Sequence, residues 1–188
     1  MIIRPVKPQD APNLVKIYAP YVEHTSITFE YEVPSAEEFA DRIRNITQKY
    51  PYLAAEENGE LLGYAYASAF KGRAAYAWSV ETSIYVKENC RHGGIGRALY
   101  AELERCLSAQ HICNVCACIT YPNPVSIAFH ESFGYQTIAH FHKSGYKQGS
   151  WYDMIWMEKE LCPHTVPPKP FVPITELSNL FDETATKE

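Results

Sequence analysis

The chain has 188 residues, 46% of them hydrophobic and 21% charged, enough apolar material for one domain with a full core. A formal net charge of -5 argues against a nucleic-acid surface. No apolar run approaches the ~18 residues of a membrane-spanning helix, and Met1-Ile2-Ile3-Arg4-Pro5 does not read as the start of a signal peptide, so a cytoplasmic location is expected.

Residues 1–5 read as a first strand. Asp10 can cap a helix whose apolar stripe is Leu14, Ile17, Tyr18 and Tyr21. After a polar and aromatic loop from His24 to Phe29, Ser35 and Glu38 form a capping box that opens a second helix, reaching about Gln48. Tyr52–Ala55 and Leu61–Ala69 are predicted strands, joined at Asn58-Gly59, a hairpin signal. A third strand in this run extends from about Ala75 to Val86. Ile95, Leu99, Leu103 and Leu107 then recur at four-residue steps, which predicts an amphipathic helix to about Ala109.

Ile112–Ile119 reads as a buried strand, Pro124–Ser132 as a short helix, and Gln136–His142 and Trp151–Glu158 as two final strands, with Gly145 and Gly149 in their connection. The order β-α-α-β-β-β-α-β-α-β-β describes a mixed α/β fold of the α+β type on a mostly antiparallel central sheet. Its hairpins argue against a doubly wound parallel fold. Past Cys162 the composition changes. Pro163, Pro167, Pro168, Pro170 and Pro173 exclude regular structure, so residues 1–162 are expected to be the domain. Residues 163–188 are read as a proline-rich acidic tail outside the core, disordered or laid over a surface.

The most informative run is Arg91-His92-Gly93-Gly94-Ile95-Gly96, between a strand and a helix. A glycine-rich turn there leaves backbone N–H groups pointing outward at the positive end of the helix dipole, and both favour a phosphate. Arg91 and Arg97 can add charge-assisted contacts. The run is not a P-loop, because Arg97-Ala98 follows where Lys-Ser or Lys-Thr is needed. It is not a dinucleotide fingerprint either, because its glycines fall mid-chain. It presents a cradle for a pyrophosphate, or a helix start with glycines chosen for a tight turn.

Six cysteines need a reading. Cys113, Cys116 and Cys118 lie along one extended stretch, with Cys116 and Cys118 facing one side and Cys113 the other. A zinc knuckle needs a turn between its cysteines and a second ligand pair. Small buried side chains in a reducing compartment are expected instead, and no metal is expected.

The R-x-x-G-x-G spacing resembles the acetyl-coenzyme A pyrophosphate loop of the GNAT N-acetyltransferase superfamily. Within it the chain resembles the phosphinothricin and methionine sulfoximine acetyltransferases. The resemblance is carried by Tyr21–Phe29, Tyr50–Glu56, Gly63–Ala67, Lys71–Val86, Pro122-Asn123-Pro124, His130–Tyr135 and Gly145–Asp153, and extends to about residue 160. It implies a GNAT fold, acetyl-CoA as co-substrate, and a homodimer in which the C-terminal strands, with Tyr146, Trp151 and Tyr152 nearby, take part.

Residue by residue, the resemblance implies that Glu81 is the catalytic base. A glutamate in the middle of a predicted strand is otherwise unfavoured, or sits on a solvated edge. It implies that His130 is a proton donor or substrate contact, a role imidazole suits near neutral pH. Phe29, Lys71, Arg73 and Tyr76 are implied as substrate contacts, and a guanidinium at Arg73 can grip a carboxylate or phosphinate bidentately. The cofactor falls to Arg91, His92, Gly93, Gly94, Ile95, Gly96, Arg97 and Asn123, the last also a natural helix N-cap. Ile84 and Val86 are expected to pair their backbone with the pantetheine arm as an added strand would.

The activity implied is direct acetyl transfer to the α-amine of a small amino-acid-like molecule, phosphinothricin or methionine sulfoximine or sulfone. Its rivals are transfer to another amine, such as an ordinary amino acid or a protein N-terminus, and a non-catalytic acyl-CoA-binding module.

Overall fold

The computed structural model describes residues 1–90 and 93–181. Arg91 and His92, two of the expected cofactor contacts, lie outside the described residues, as do residues 182–188. Eleven regular elements follow the expected order. They are β1 (Ile2–Pro5), α1 (Ala11–His24), α2 (Ala36–Thr47), β2 (Tyr52–Glu57), β3 (Glu60–Ala69), β4 (Ser79–Val86), α3 (Ile95–Ala109), β5 (Asn114–Tyr121), α4 (Pro124–Ser132), β6 (Gln136–Lys147) and β7 (Ser150–Glu160).

The strands form one sheet in the order β1-β2-β3-β4-β5-β7-β6. All neighbours run antiparallel except β4 and β5, which are parallel because α3 crosses between them. The crossover puts α3 on one face of the sheet. There Leu99, Leu103 and Leu107 pack with Leu53, Ala65, Val80 and Val115. The other face takes α1 and α2, whose Leu14, Ile17, Phe39 and Ile43 pack with Tyr52, Ala54 and Tyr64. Successive residues of β2 thus serve opposite cores, which explains why Tyr52-Leu53-Ala54-Ala55 is apolar without alternation.

Several local signals operate as read. Ser35 Oγ accepts from the Glu38 N–H at 3.2 Å while the Glu38 carboxylate accepts from the Ser35 N–H at 2.7 Å. Asn58 and Gly59 both take positive φ, 52° and 79°, as a two-residue hairpin turn requires.

Four expectations are corrected. The Asp10 carboxylate does not cap α1. It accepts both Arg4 Nη groups, at 2.8 and 2.9 Å, and the Lys7 N–H at 2.8 Å, because a bidentate charged partner outcompetes a backbone N–H. Ala75 and Tyr76 are not in a strand. Ala74–Tyr76 is a 3₁₀ turn, closed by bonds from the N–H groups of Tyr76 and Ala77 to the carbonyls of Arg73 and Ala74, and β4 begins at Ser79. Gly145 lies inside β6, not in the connection. The β6–β7 turn is Gln148-Gly149, again with two positive φ values. Cys118 is exposed rather than buried, while Cys116 is buried beside it.

The tail expected outside the core follows the surface as far as it is described. Phe171, Ile174, Leu180 and Phe181 pack against the α3-side core. The fully buried Gln110 amide donates to the carbonyls of Lys49 (2.6 Å) and Val172 (2.9 Å). Trp78 Nε1 donates to the Lys169 carbonyl at 2.7 Å.

Candidate active site

The parallel pairing of β4 and β5 covers only Ser79–Thr82 against Asn114–Ala117. Beyond it the two strands part, and a cleft opens. Its walls include Ser83 and Ile84 of β4, Cys118 and Thr120 of β5, Tyr100 of α3, and Asn123 and His130 at α4. The Lys87 N–H bonds the Leu62 carbonyl, so odd-numbered residues of β4 turn their backbone toward β3. Thr82, Ile84 and Val86 therefore turn theirs toward the cleft. At Val86 the Tyr21 hydroxyl donates to the carbonyl at 2.5 Å and lies 3.2 Å from the N–H. Of the two residues expected to pair with a pantetheine arm, Ile84 stands at the opening and Val86 is engaged by Tyr21.

Glu81 is not on an edge strand. It sits where β4 lies between β3 and β5, opposite Ser68 and Cys116. It is half-buried, and burial raises its carboxyl pKa, with the Lys71 charge opposing. A carboxylate so placed binds a proton more readily than a solvated one.

Around it the β3–β4 connection brings an aromatic and cationic group. Lys71 Nζ lies 5.1 Å from the Phe70 ring centre and 5.2 Å from that of Trp156. Tyr76 meets Phe70 at 5.8 Å between ring centres, and Phe70 meets Trp156 at 5.0 Å. Arg73 is exposed at the head of the same turn. Lys71, Tyr76 and Glu81 are thus neighbours of one surface. Phe70 and Trp156 belong to it too and were missed. Trp156 is distant in sequence and reaches the group only through β7; Phe70, beside Lys71, was readable as an aromatic next to a cation.

Phe29 is positioned from the other side. Its ring packs against the Gly145 backbone and meets Tyr152 at 6.5 Å between ring centres. The loop around it is held by the β6–β7 hairpin. The buried Lys147 ammonium donates to the Thr28 carbonyl at 2.8 Å, and Tyr31 Oη to the Tyr146 carbonyl at 2.5 Å. Burial lowers the Lys147 pKa.

His130 is buried in the cleft wall. Its Nδ1 lies 2.8 Å from the Ser126 carbonyl, which as an acceptor sets Nδ1 as the donor. Its Nε2 then accepts from the Tyr100 hydroxyl at 2.9 Å. Tyr100 Oη is also 3.2 Å from Thr82 Oγ1, and Thr82 Oγ1 donates to the Cys116 carbonyl. Burial lowers the His130 pKa against the opposing pull of the Ser126 carbonyl, which favours the uncharged ring.

The glycine turn enters α3 with Gly94 at φ 76°, the left-handed region that glycine adopts without strain. Gly93, Gly94, Ile95 and Gly96 supply the N-terminal amides of a 15-residue helix. A Cβ on Gly96 would meet Phe129 of α4 at 3.2 Å, so that glycine lets the two helices approach. Arg97 lies over the Phe133 ring at 5.5 Å. Asn123 caps α4, its Oδ1 accepting from the Ser126 N–H at 3.1 Å.

A sheet that parts between two parallel strands thus opens a cleft beside a glycine-rich helix start, a combination suited to an extended ligand with an anionic group. The acetyltransferase (GNAT) domain family matches residues 3–156, and the chain belongs to that family and is an N-acetyltransferase. The chain is 34% identical to a phosphinothricin N-acetyltransferase from Streptomyces viridochromogenes, over 93% of this chain and 95% of that one. It is 30% identical to an L-methionine sulfoximine/L-methionine sulfone acetyltransferase from Salmonella typhimurium, over 89% and 98%. Among solved structures, a GNAT superfamily phosphinothricin acetyltransferase from Sinorhizobium meliloti, in complex with AcCoA, superposes with a TM-score of 0.84 at 36% identity, covering 90% of this chain and 92% of that one.

Proposed function

We propose that this chain transfers the acetyl group of acetyl-CoA directly to the α-amine of small amino-acid-like molecules, with phosphinothricin and methionine sulfoximine or sulfone as lead substrates. The observation that carries this reading is Glu81, a half-buried carboxylate in the last paired stretch of β4 before the sheet parts, beside the cationic Lys71 and an aromatic group. An α-ammonium group titrates near pH ~8 and must lose its proton before attack. Glu81 takes that proton directly or through water. Lys71 and Arg73 face the acceptor's carboxylate and its phosphinate or sulfoximine end, while Tyr76 and Phe29 border it.

Acetyl-CoA lies with its pyrophosphate on the Arg91–Gly96 turn and Arg97, its pantetheine arm along Ile84 and its acyl end toward Asn123 and the cleft. The amine attacks the thioester carbon, the tetrahedral adduct collapses with cleavage of the C–S bond, and the proton shed by the attacking nitrogen passes to the departing thiolate beside the wall formed by His130 and Tyr100. The apolar side chains exposed on the last hairpin, Ile138, Phe141, Tyr146 and Trp151, support a homodimer. No helix among the described residues is long and apolar enough to cross a membrane, in keeping with a cytoplasmic enzyme.

The test is thiol release from acetyl-CoA across a panel of phosphinothricin, methionine sulfoximine, methionine sulfone, ordinary amino acids and an N-terminal peptide. A kcat/KM highest for the first three supports the reading, and a peptide preference overturns it. Direct attack further requires that acetyl-CoA alone leaves no acetylated protein.

A further inference from the structure

Outside the acetyl-transfer cleft, His140 and His142 of β6 and Asp153 of β7 converge. His140 Nε2 and His142 Nδ1 stand 2.8 and 3.0 Å from the same oxygen, Asp153 Oδ2. The three ligand atoms lie within 4.8 Å of one another. Two histidines separated by one residue point to one face of a strand. Here that face is the α3 side, since His140 pairs in register with the core residue Ile155. Phe141, between them, turns toward Trp156 on the other.

We propose that His140, His142 and Asp153 form a binding site for one borderline divalent transition ion, of which zinc is the type. Two imidazoles and a carboxylate are a donor set such ions favour, whereas magnesium and calcium prefer oxygen throughout. Ligand bonds of about 2.0–2.2 Å place donor atoms about 3.3–3.5 Å apart on a tetrahedron. The observed 2.8 and 3.0 Å therefore need to open by only about half an ångström.

Three further features hold the ligands in place. Asp153 Oδ1 accepts the Lys143 N–H at 2.8 Å, which leaves Oδ2 to the ion, the outer contact that orients a ligating carboxylate. Lys143 takes a positive φ of 49° to present that N–H. The Tyr121 ring packs on His140 at 4.8 Å between centres. His142 is exposed, so an ion enters from solvent and keeps water in its remaining position. The β6–β7 register breaks between Phe141 and Gly145, just where these side chains meet. An ion there ties the edge strand β6 to β7 across the gap in their ladder.

The experiment is zinc titration of the chelator-stripped full chain by calorimetry, with cobalt substitution read by absorption. One equivalent of zinc should bind. His142→Ala and Asp153→Asn should each weaken it by at least about tenfold, the effect that loss even of an outer-shell partner has. Both side chains lie at the surface, and unchanged circular dichroism confirms their folding. Cys113 and Cys162, whose sulfurs stand 2.8 Å apart, are the competing donors. The pair Cys113→Ser and Cys162→Ser should bind zinc as the parent does, and the cobalt form should show no thiolate charge-transfer band. Absence of saturable zinc uptake, uptake unchanged in His142→Ala and Asp153→Asn, or uptake lost with the cysteines overturns the proposal. None of these readouts depends on which amine is acetylated.

Discussion

Gly145→Ala is the most informative single change for the acceptor side. Gly145 does not have a positive φ, so alanine is tolerated by the backbone. The cost is steric. A Cβ there would lie 2.3, 2.4 and 2.7 Å from Phe29 Cε2, Cζ and Cδ2. Carbon atoms in contact sit about 3.5–4.0 Å apart, so the ring must retreat by about 1 Å or more. It has little room, with Tyr152 on one flank and its loop pinned through Lys147 and Tyr31. Overpacking of this kind costs about 1–3 kcal/mol, equivalent to about 2–12 °C in Tm for a chain of this size. Steady-state kinetics should show KM for the amine rising while acetyl-CoA affinity holds, since the glycine turn is untouched. Phe29→Leu in the Gly145→Ala background should recover part of the lost Tm. A Gly145→Ala protein with parental Tm and amine KM would refute the packing argument. Tm lost without recovery in the double variant would show that the clash lies elsewhere.

Three further outcomes follow. Glu81→Gln should lower kcat by about 10²–10⁴, with partial recovery at high pH, where the amine loses its proton unaided. The acid limb of the parent should fall above the ordinary carboxylate range, because burial raises the Glu81 pKa and the protonated form cannot act as base; an unchanged pH–rate profile in Glu81→Gln would exclude it as the base. Arg73→Ala should weaken binding of anionic amino-acid analogues by about ten- to a hundredfold, the worth of a charge-assisted bond. Simple amines should be spared and Arg73→Lys should rescue only partly; equal losses for both substrate classes would assign Arg73 to the fold. Truncation after residue 169 removes Phe171, Ile174, Leu180 and Phe181 and strips the buried Gln110 amide of its bond to Val172. Losing one of the amide's two hydrogen bonds, with that to Lys49 retained, costs about 0.5–1.5 kcal/mol before the apolar loss is added, so Tm should fall by at least about 1 °C, and an unchanged Tm would mean that the tail does not stabilise the domain.

The parts of this protein legible in its sequence are those decided within a few residues. The four-residue stripe of α3, the Ser35–Glu38 capping box and the Asn58-Gly59 turn each state their own conformation, because helix periodicity, reciprocal capping and positive φ are local demands. The glycine run marks the turn into α3 for the same reason, with Gly94 at positive φ. Where a local signal met a stronger distant partner it misled. Asp10 reads as a cap until Arg4 claims its carboxylate, and Gly145 reads as a turn until Phe29 is seen to need its missing side chain. The resemblance placed Glu81 and its neighbours on one strand and connection, but Phe70 and Trp156 are 86 residues apart and meet only through the order of strands. His140, His142 and Asp153 escaped notice likewise, since the β6–β7 register, broken at Phe141, decides which side chains face each other. The sequence by itself determined the elements, their order and the glycine turn into α3. Only the tertiary structure decided where β4 and β5 separate, that the tail lies on α3, and which polar groups converge, because those depend on pairings between residues that the chain keeps far apart.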